Sequence, residues 1–167
     1  CPGRISSEGL CKCLERVCIQ VNKVYDSCLQ QESMTDVQIT LNDVEGGPFV
    51  PPLTFTGCQS TTTVGILKDT TITRMEDRPN FARVKTKVNI PIEITFEDVN
   101  GKKGTARGFV VVPKDVILYV PNESVIPFRL ESVVNAVCVV GEFVRCDPLT
   151  VVMDICLTII LKIVAKV

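Results

Sequence analysis

The sequence predicts an all-β protein, an antiparallel β-sandwich of Ig-like or jelly-roll-like type that follows a cysteine-rich N-terminal arm. Three observations support this fold class. Two long segments alternate apolar and polar residues, clusters of Pro and Gly separate the apolar segments, and no interior segment shows a convincing helical period. Several strands separated by such Pro and Gly clusters are typical of a two-layered β fold. We expect residues 1–35 to form the arm and residues 36–167 to form the sandwich domain.

The clearest predicted element is a β-hairpin over residues 81–112. Across residues 83–99 the apolar side chains share one parity and the charged or polar side chains share the other. Residues 100–104 contain an Asn-Gly turn, in which both residues tolerate positive φ, and the chain then returns as the partner strand. Pro91 lies on the polar parity and cannot donate a ladder hydrogen bond, so an edge or a bulge is expected there.

The C-terminal segment, residues 149–167, is apolar enough to resemble a membrane helix. Its alternate positions decide otherwise, because one parity is wholly apolar while the other carries Asp154, Lys162 and Lys166. At the centre of a bilayer Asp154 and Lys162 would each cost about 2.5–3.5 kcal/mol. The segment is therefore predicted to be a strand with one buried face, and we expect no membrane span.

The first 35 residues carry two competing patterns. Apolar residues from Leu10 to Cys28 follow the spacing of an amphipathic helix. Val17, Ile19 and Val21 alternate instead, and β-branched residues of this kind favour a strand. Both conformations stay open, and we favour an extended arm that leads into a strand. Further strands are predicted at residues 36–44, 61–67, 70–75, 116–120 and 125–144.

Composition argues against catalysis and against nucleic-acid binding. The 167 residues include 18 Lys and Arg against 19 Asp and Glu, a net charge of −1, whereas nucleic acid demands clustered positive charge. The chain contains no His, which removes the commonest general base and the Ser–His and Cys–His nucleophile pairs. We expect neither an enzyme nor a cofactor. A nearly neutral surface also opposes self-association only weakly.

Nine cysteines in this length indicate an oxidising compartment or a metal site. Because nine is odd, at least one thiol is free or pairs with another chain. Five of the nine lie in the N-terminal arm, and chain termini are the parts most easily extended onto a neighbour. Cys11 and Cys13 are too close in sequence to bond with each other easily. We predict interchain disulfides from the arm, with candidates Cys1, Cys11, Cys13, Cys18 and Cys28.

The cysteines beyond the arm are weaker disulfide candidates. Cys58, Cys138 and Cys156 lie in or beside predicted strands, where a buried free thiol packs as a small apolar side chain at least as readily as it bridges. Cys146 lies in a polar turn and is the better candidate of the four. For the arm, intrachain disulfides alone are an alternative. A metal site is another, but the arm cysteines lack the paired knuckles of structural zinc sites, so no metal site is predicted.

Four segments carry a family resemblance: Val21–Cys28, Val88–Gly101, Val116–Pro121 and Ile160–Val167. They resemble cysteine-rich spore coat and exosporium proteins of clostridial-type spore formers. The resemblance implies a structural protein at the spore surface, in a coat layer, an exosporium lattice or an appendage fibre. Its implied partners are further copies of itself, with other spore-surface proteins as additional candidates. It implies no catalytic residue.

The sequence therefore predicts a self-assembling structural protein of a spore-surface layer or appendage fibre. Subunits would join head to tail through strand pairing and interchain disulfides. The long apolar strand at residues 149–167 offers a pairing edge if it is uncovered. The alternative is an Ig-like adhesin or ligand-binding surface module. Exposed aromatic residues would support that alternative, but most of the seven Phe and two Tyr lie on strand patterns.

Overall fold

The computed structural model describes residues 22–121 and 127–166, which form eight strands and no helix. Every pairing between neighbouring strands is antiparallel, so the predicted all-β antiparallel fold class is confirmed. In these two ranges no helix exists that could cross a bilayer. The strands are β1 (Asn22–Thr40), β2 (Asn42–Glu45), β3 (Thr54–Ser60), β4 (Ile66–Arg74), β5 (Phe81–Glu97), β6 (Lys103–Tyr119), β7 (Arg129–Cys146) and β8 (Leu149–Lys166).

The strands form one hydrogen-bonded sheet in the order β1-β8-β7-β3-β5-β6-β2, with β4 paired to β5. Because β6 occupies one edge of β5 along its whole length, β3 and β4 share the other edge. There β3 pairs with residues 92–97 and β4 pairs with residues 82–89. The two short strands therefore follow one another along this edge of β5, and β3 also pairs with β7.

The predicted hairpin is confirmed and is longer than expected. Strands β5 and β6 pair from Phe81 with Tyr119 to Glu97 with Lys103 without a register shift. Residues 116–120, predicted as a separate strand, are the end of this hairpin. Alternate side chains of both strands are buried, as the period of two required.

Pro91 lies beside a gap in the sheet. Its carbonyl accepts the N–H of Thr61 at 3.0 Å, just after β3 ends, and β4 begins only at Ile66. In an antiparallel ladder the N–H and C=O of one residue point to the same edge. The missing N–H of Pro91 therefore faces the interruption between β3 and β4, where no ladder bond is lost.

Strand β8 confirms the strand predicted at the C-terminal segment. Alternate residues from Leu149 to Ile163 are buried, while β1 and β7 pair with the two edges. The buried side chains of β5, β6, β7 and β8 belong to one apolar cluster, so the inner face of the sheet packs against itself. Phe96 of β5 meets Phe143 of β7 with ring centroids 5.3 Å apart. Each large apolar side chain buried in this way contributes about 1.5–3 kcal/mol.

The predicted strand at residues 61–67 is wrong for most of its length. Residues 61–65 form a loop with one isolated bridge from Val64 to Val133, and β4 starts at Ile66. Strand β3 was not predicted. Its alternation is interrupted by a bulge between Phe55 and Gly57, which moves the polar residues out of phase.

Residues 22–35, which the sequence assigns to the arm, form the first part of β1. They pair with β8 along their length, from Asn22 with Lys166 to Met34 with Ile155. The strand conformation is the one favoured for this part of the arm, and residues 1–21 lie outside the described residues. The division of the chain after residue 35 stays a prediction.

Candidate cross-linking sites and the two seams of the sheet

Five of the nine cysteines lie in the described chain. Cys58 and Cys138 form a disulfide, whereas Cys28, Cys146 and Cys156 are free within the described residues. The other arm candidates, Cys1, Cys11, Cys13 and Cys18, lie outside those residues, so interchain bonding by the arm stays a prediction.

The disulfide joins β3 to β7 where few hydrogen bonds connect them. Cys58 and Cys138 are register partners with Cα atoms 5.1 Å apart, and only the neighbouring Gln59 and Val137 extend the ladder. Two loop contacts continue the junction, from Gly65 N–H to the Ser132 carbonyl (3.2 Å) and from Val134 N–H to the Thr63 carbonyl (2.8 Å). We call this junction, residues 58–65 against 132–138, the β3–β7 seam.

Two free thiols lie at the surface. Cys156 is on the outward face of β8, between its register partners Ser33 of β1 and Val137 of β7. Cys146 ends β7 immediately before the turn to β8 and is also exposed. Thiols in such positions are accessible to another chain. Cys28, in contrast, is half-buried and packs against the core cluster.

A second junction lies between β1, at one end of the strand order, and β6, which is next to the other end. Strand β1 pairs with β8 on one edge, and β6 pairs with β5 on one edge. On its other edge β6 pairs with β2 at Arg107 and Thr105. Among the described residues no backbone pairing joins β1 to residues 108–119. We call the facing edges of residues 25–39 and 108–119 the β1–β6 seam.

Polar side chains cross the β1–β6 seam in place of a ladder. The Asp26 carboxylate (Oδ2) accepts the N–H of Tyr119 at 2.8 Å, and Lys114 Nζ forms an ion pair with Glu32. Residue numbers rise along β1 as they fall along β6, so the two strands are antiparallel across the seam. At these two points the seam is held by side-chain contacts and not by backbone hydrogen bonds.

The seam closes most tightly at Gly108. A Cβ atom there would lie 2.8 Å from Ile39 Cγ2 and 3.1 Å from Leu41 Cδ2, so glycine permits this close approach. Both apolar side chains belong to the buried cluster. The seam thus has an apolar, closed end at Gly108 and a polar end at Tyr119.

Lys114, which forms the ion pair across the seam, could have been found in the sequence. It interrupts the apolar parity of β6, and its side chain is only 4% exposed. A buried ammonium group requires a partner, which Glu32 supplies while its own side chain stays 40% exposed. Sequence alone could not name Glu32, since the pairing depends on which strand faces β6.

The backbone of β6 presents a free edge to the seam. The N–H of Tyr119 points away from β5 towards Asp26, and the β5–β6 register has no shift. Residues of the same parity therefore direct their N–H and C=O groups into the seam. These residues are Phe109, Val111, Asp115 and Ile117, together with Pro113, which has no N–H to donate.

The outer face beside this edge is unusually apolar. Phe109, Val111 and Ile117 are each about half exposed on β6, and Leu29 is exposed on β1 across the seam. The neighbouring strand β5 presents charged residues outward instead, including Lys85 and Lys87. A pairing edge with exposed apolar neighbours is a candidate site for association with another strand.

The hairpin turn after β5 holds Asp98, a carboxylate that accepts several backbone hydrogen bonds. Asp98 is buried, which opposes ionisation, but its oxygens accept N–H groups of Lys102, Val50 and Asn100 at 2.8–3.2 Å. These hydrogen bonds and the Lys102 charge outweigh the burial, so the pKa of Asp98 is lowered. Asp98 fastens the turn to residue 50 and performs a structural role.

An open cleft of about 610 Å³ is lined by β-strand residues such as Thr56, Thr95 and Lys103. Across residues 22–121 and 127–166, no three Cys, Asp or Glu side chains converge in a way that could hold a metal ion. The chemistry that the described residues offer is thiol oxidation and strand pairing.

Comparison with known proteins gave no match: neither a family model, nor a curated protein, nor a solved structure is similar to this chain.

Proposed function

We propose that this chain is a self-assembling structural protein, whose subunits are joined by strand pairing and by interchain disulfides. The observation that carries the proposal is the state of the cysteines. One pair is bonded across the β3–β7 seam, while Cys146 and Cys156 lie exposed without a partner in the described chain. Conditions that maintain the first bond also oxidise accessible thiols, and an exposed thiol is in a position to bond to a thiol of another copy.

The arm contributes further thiols for interchain disulfides in this proposal. Cys1, Cys11, Cys13 and Cys18 precede β1, which lies at one end of the sheet order and beside the β1–β6 seam. Each bond forms when two thiolates lose two electrons in total, through exchange with a small-molecule disulfide that is reduced to two thiols. Subunits of Ig-like or jelly-roll-like sandwich form would then be locked after they have paired.

We place this assembly at a spore surface, in a coat layer, an exosporium lattice or an appendage fibre. Support comes from the resemblance of four segments to cysteine-rich spore coat and exosporium proteins. The nearly neutral net charge of −1 agrees with close packing of many copies. The partner is the chain itself, and other spore-surface proteins are further candidates.

The test is oxidation of purified chain with a small-molecule disulfide. We expect a ladder of oligomers on non-reducing electrophoresis that collapses to a monomer with reductant, and ordered fibres or sheets by negative-stain microscopy. A variant with Cys146→Ser and Cys156→Ser should shorten the ladder, and the triple variant of Cys11, Cys13 and Cys18 to Ser should shorten it further. A single monomer band with and without reductant would show that the chain does not cross-link.

A further inference from the structure

We propose that the β1–β6 seam accepts, as an added strand, part of the N-terminal segment, residues 1–21, of a second copy of this chain. The inference rests on the proposed self-assembly and names the edge and the occupant through which one copy holds the next. It concerns non-covalent pairing and is independent of which cysteines later bond.

The backbone at the seam is prepared for an added strand. Within the described chain, no ladder partner binds the backbone N–H and C=O groups that β6 directs into the seam, at Phe109, Val111, Asp115 and Ile117. Within the same residues, β1 has no paired strand on the edge that faces away from β8. An inserted strand would pair with β6 and complete the sheet, which is the usual chemistry of strand addition. The main-chain bonds would supply most of the affinity.

The side chains around the seam suit an alternating apolar segment. On the outer face, the β6 side of the seam is lined by Phe109, Val111 and Ile117, and the β1 side carries Leu29. Residues 17–21 of the arm alternate Val, Ile and Val with Cys and Gln. Placed as a strand with Val17, Ile19 and Val21 towards the apolar inner face, such a segment leaves Cys18 on the outer face, where it stays accessible to another thiol.

The seam can open without breaking the sheet. Its polar end is held by Asp26 and by the Glu32–Lys114 ion pair, and none of these contacts is a ladder bond. Insertion from this end up to the closed end at Gly108 therefore exchanges side-chain bridges for backbone pairs, while the β1–β8 and β5–β6 ladders stay intact.

A second copy fits the seam better than the chain's own arm does. Strand β1 already pairs with Lys166 from Asn22 onward, so a fold-back would need its turn within residues 18–21. Those residues are Cys, Ile, Gln and Val, and they contain no Gly, Asn, Asp or Pro that a tight turn favours. Fully extended, 21 residues span roughly 70 Å, which is ample reach to a neighbouring molecule.

The first test uses full-length variants under oxidising conditions. Val111→Pro removes one seam-facing N–H and, by its parity, no hydrogen bond to β5, as at the natural Pro113. Val111→Lys places a charge beside the same edge. Val140→Lys is the matched control, because Val140 is also an exposed valine (61%, against 47% for Val111) but lies on β7 outside both seams. We expect the Val111 variants to raise the concentration for half-assembly about tenfold and the control to leave it unchanged.

The second test identifies the occupant. Equal amounts of ¹⁴N- and ¹⁵N-labelled full-length chain are mixed, cross-linked and analysed by mass spectrometry for links between residues 1–21 and β1 or β6. Mixed-isotope links support the proposal. Links confined to one isotope assign the seam to the chain's own arm and overturn it.

The two tests separate this proposal from the general one. Normal assembly by folded Val111→Pro and Val111→Lys overturns the seam while leaving self-assembly in place. If wild-type chain forms no polymer, the proposed function fails, and the seam proposal is then decided by the isotope links at the highest soluble concentration, where their absence overturns it. Circular dichroism checks folding, and Val111→Lys replaces Val111→Pro if the proline variant is unfolded.

Discussion

Each of the two seams joins strands that few or no ladder hydrogen bonds connect, and the two do so by different means. At the β3–β7 seam two register pairs and two loop contacts are reinforced by the Cys58–Cys138 disulfide. At the β1–β6 seam the described strands share no backbone pair, and an ion pair and an Asp26 hydrogen bond span the gap. The first seam carries a covalent bond under oxidising conditions, whereas the second, in our proposal, exchanges its contacts with an incoming strand. If the chain assembles as proposed, the β3–β7 side of each copy is the fixed side and the β1–β6 side accepts its neighbour.

Removing the disulfide should have the largest effect on stability. The bond joins residues 80 apart in sequence, so it strongly restricts the unfolded chain. We expect Cys58→Ser with Cys138→Ser to lower the free energy of unfolding by about 2–4 kcal/mol in urea denaturation without reductant. Cys156→Ser, the control, should change it little. A double variant as stable as wild type would mean that the β3–β7 seam is held by its hydrogen bonds alone.

The ion pair should matter next. Glu32→Leu leaves the buried Lys114 without a partner, and we expect a loss of about 2 kcal/mol, less than for a fully buried pair because Glu32 is partly exposed. Adding Lys114→Met should recover most of the loss. Glu93→Leu is the control, since Glu93 pairs with the more exposed Arg107 and should cost under about 1 kcal/mol. Equal losses for Glu32→Leu and Glu93→Leu in denaturant titrations would contradict the special role of the seam pair.

Hydrogen exchange should separate the two edges of β6 without any mutation. Val110 and Val112 donate to β5, whereas Val111 and Ile117 direct their N–H groups into the seam. We expect the seam-facing amides to exchange at least about tenfold faster than their neighbours in the monomer. In the assembled state the proposed strand should remove this alternation. Uniform protection along β6 in the monomer would show that the seam is already paired.

The smallest effect should come from Asp98, which lies at neither seam. A carboxyl whose folded pKa is lowered stabilises the fold above its ordinary pKa of 3.8, and this contribution is lost as the pH falls through the lower folded value. We expect Asp98→Asn to lower the Tm near neutral pH. The gap to wild type should narrow below the ordinary pKa in thermal melts. A gap that is independent of pH would assign the effect to lost hydrogen bonds instead of charge.

Sequence patterns predicted β5, β8 and most of β6 and β7 because each of them has one buried face, whereas β1, which has almost no fully buried positions, was predicted only in part. The hairpin around Val88–Gly101 and the segment at residues 149–167 repeat their alternation over many residues, and burial follows it closely. Strand β3 has only seven residues and a bulge at Gly57, so its pattern is too short and too irregular to be read.

The seams themselves could not be predicted from sequence. Lys114 on an apolar parity signals that a partner exists, but which carboxylate it meets depends on strand order. The same holds for Cys58, whose bond to Cys138 requires β3 and β7 to be neighbours. With nine cysteines the spacing admits many pairings, and only the tertiary arrangement selects among them.

The position of Asn22 opposite Lys166 has a mechanical consequence. The described chain enters and leaves the sheet side by side, so a pull on both ends would peel β1 from β8 one pair at a time instead of shearing all pairs together. The Cys58–Cys138 bond then limits how far the subunit can lengthen, because the 80-residue loop it closes cannot be drawn out. The bond keeps roughly 270 Å of contour length from being extended. Under tension the oxidised chain therefore unfolds by peeling but lengthens only by the residues outside the loop.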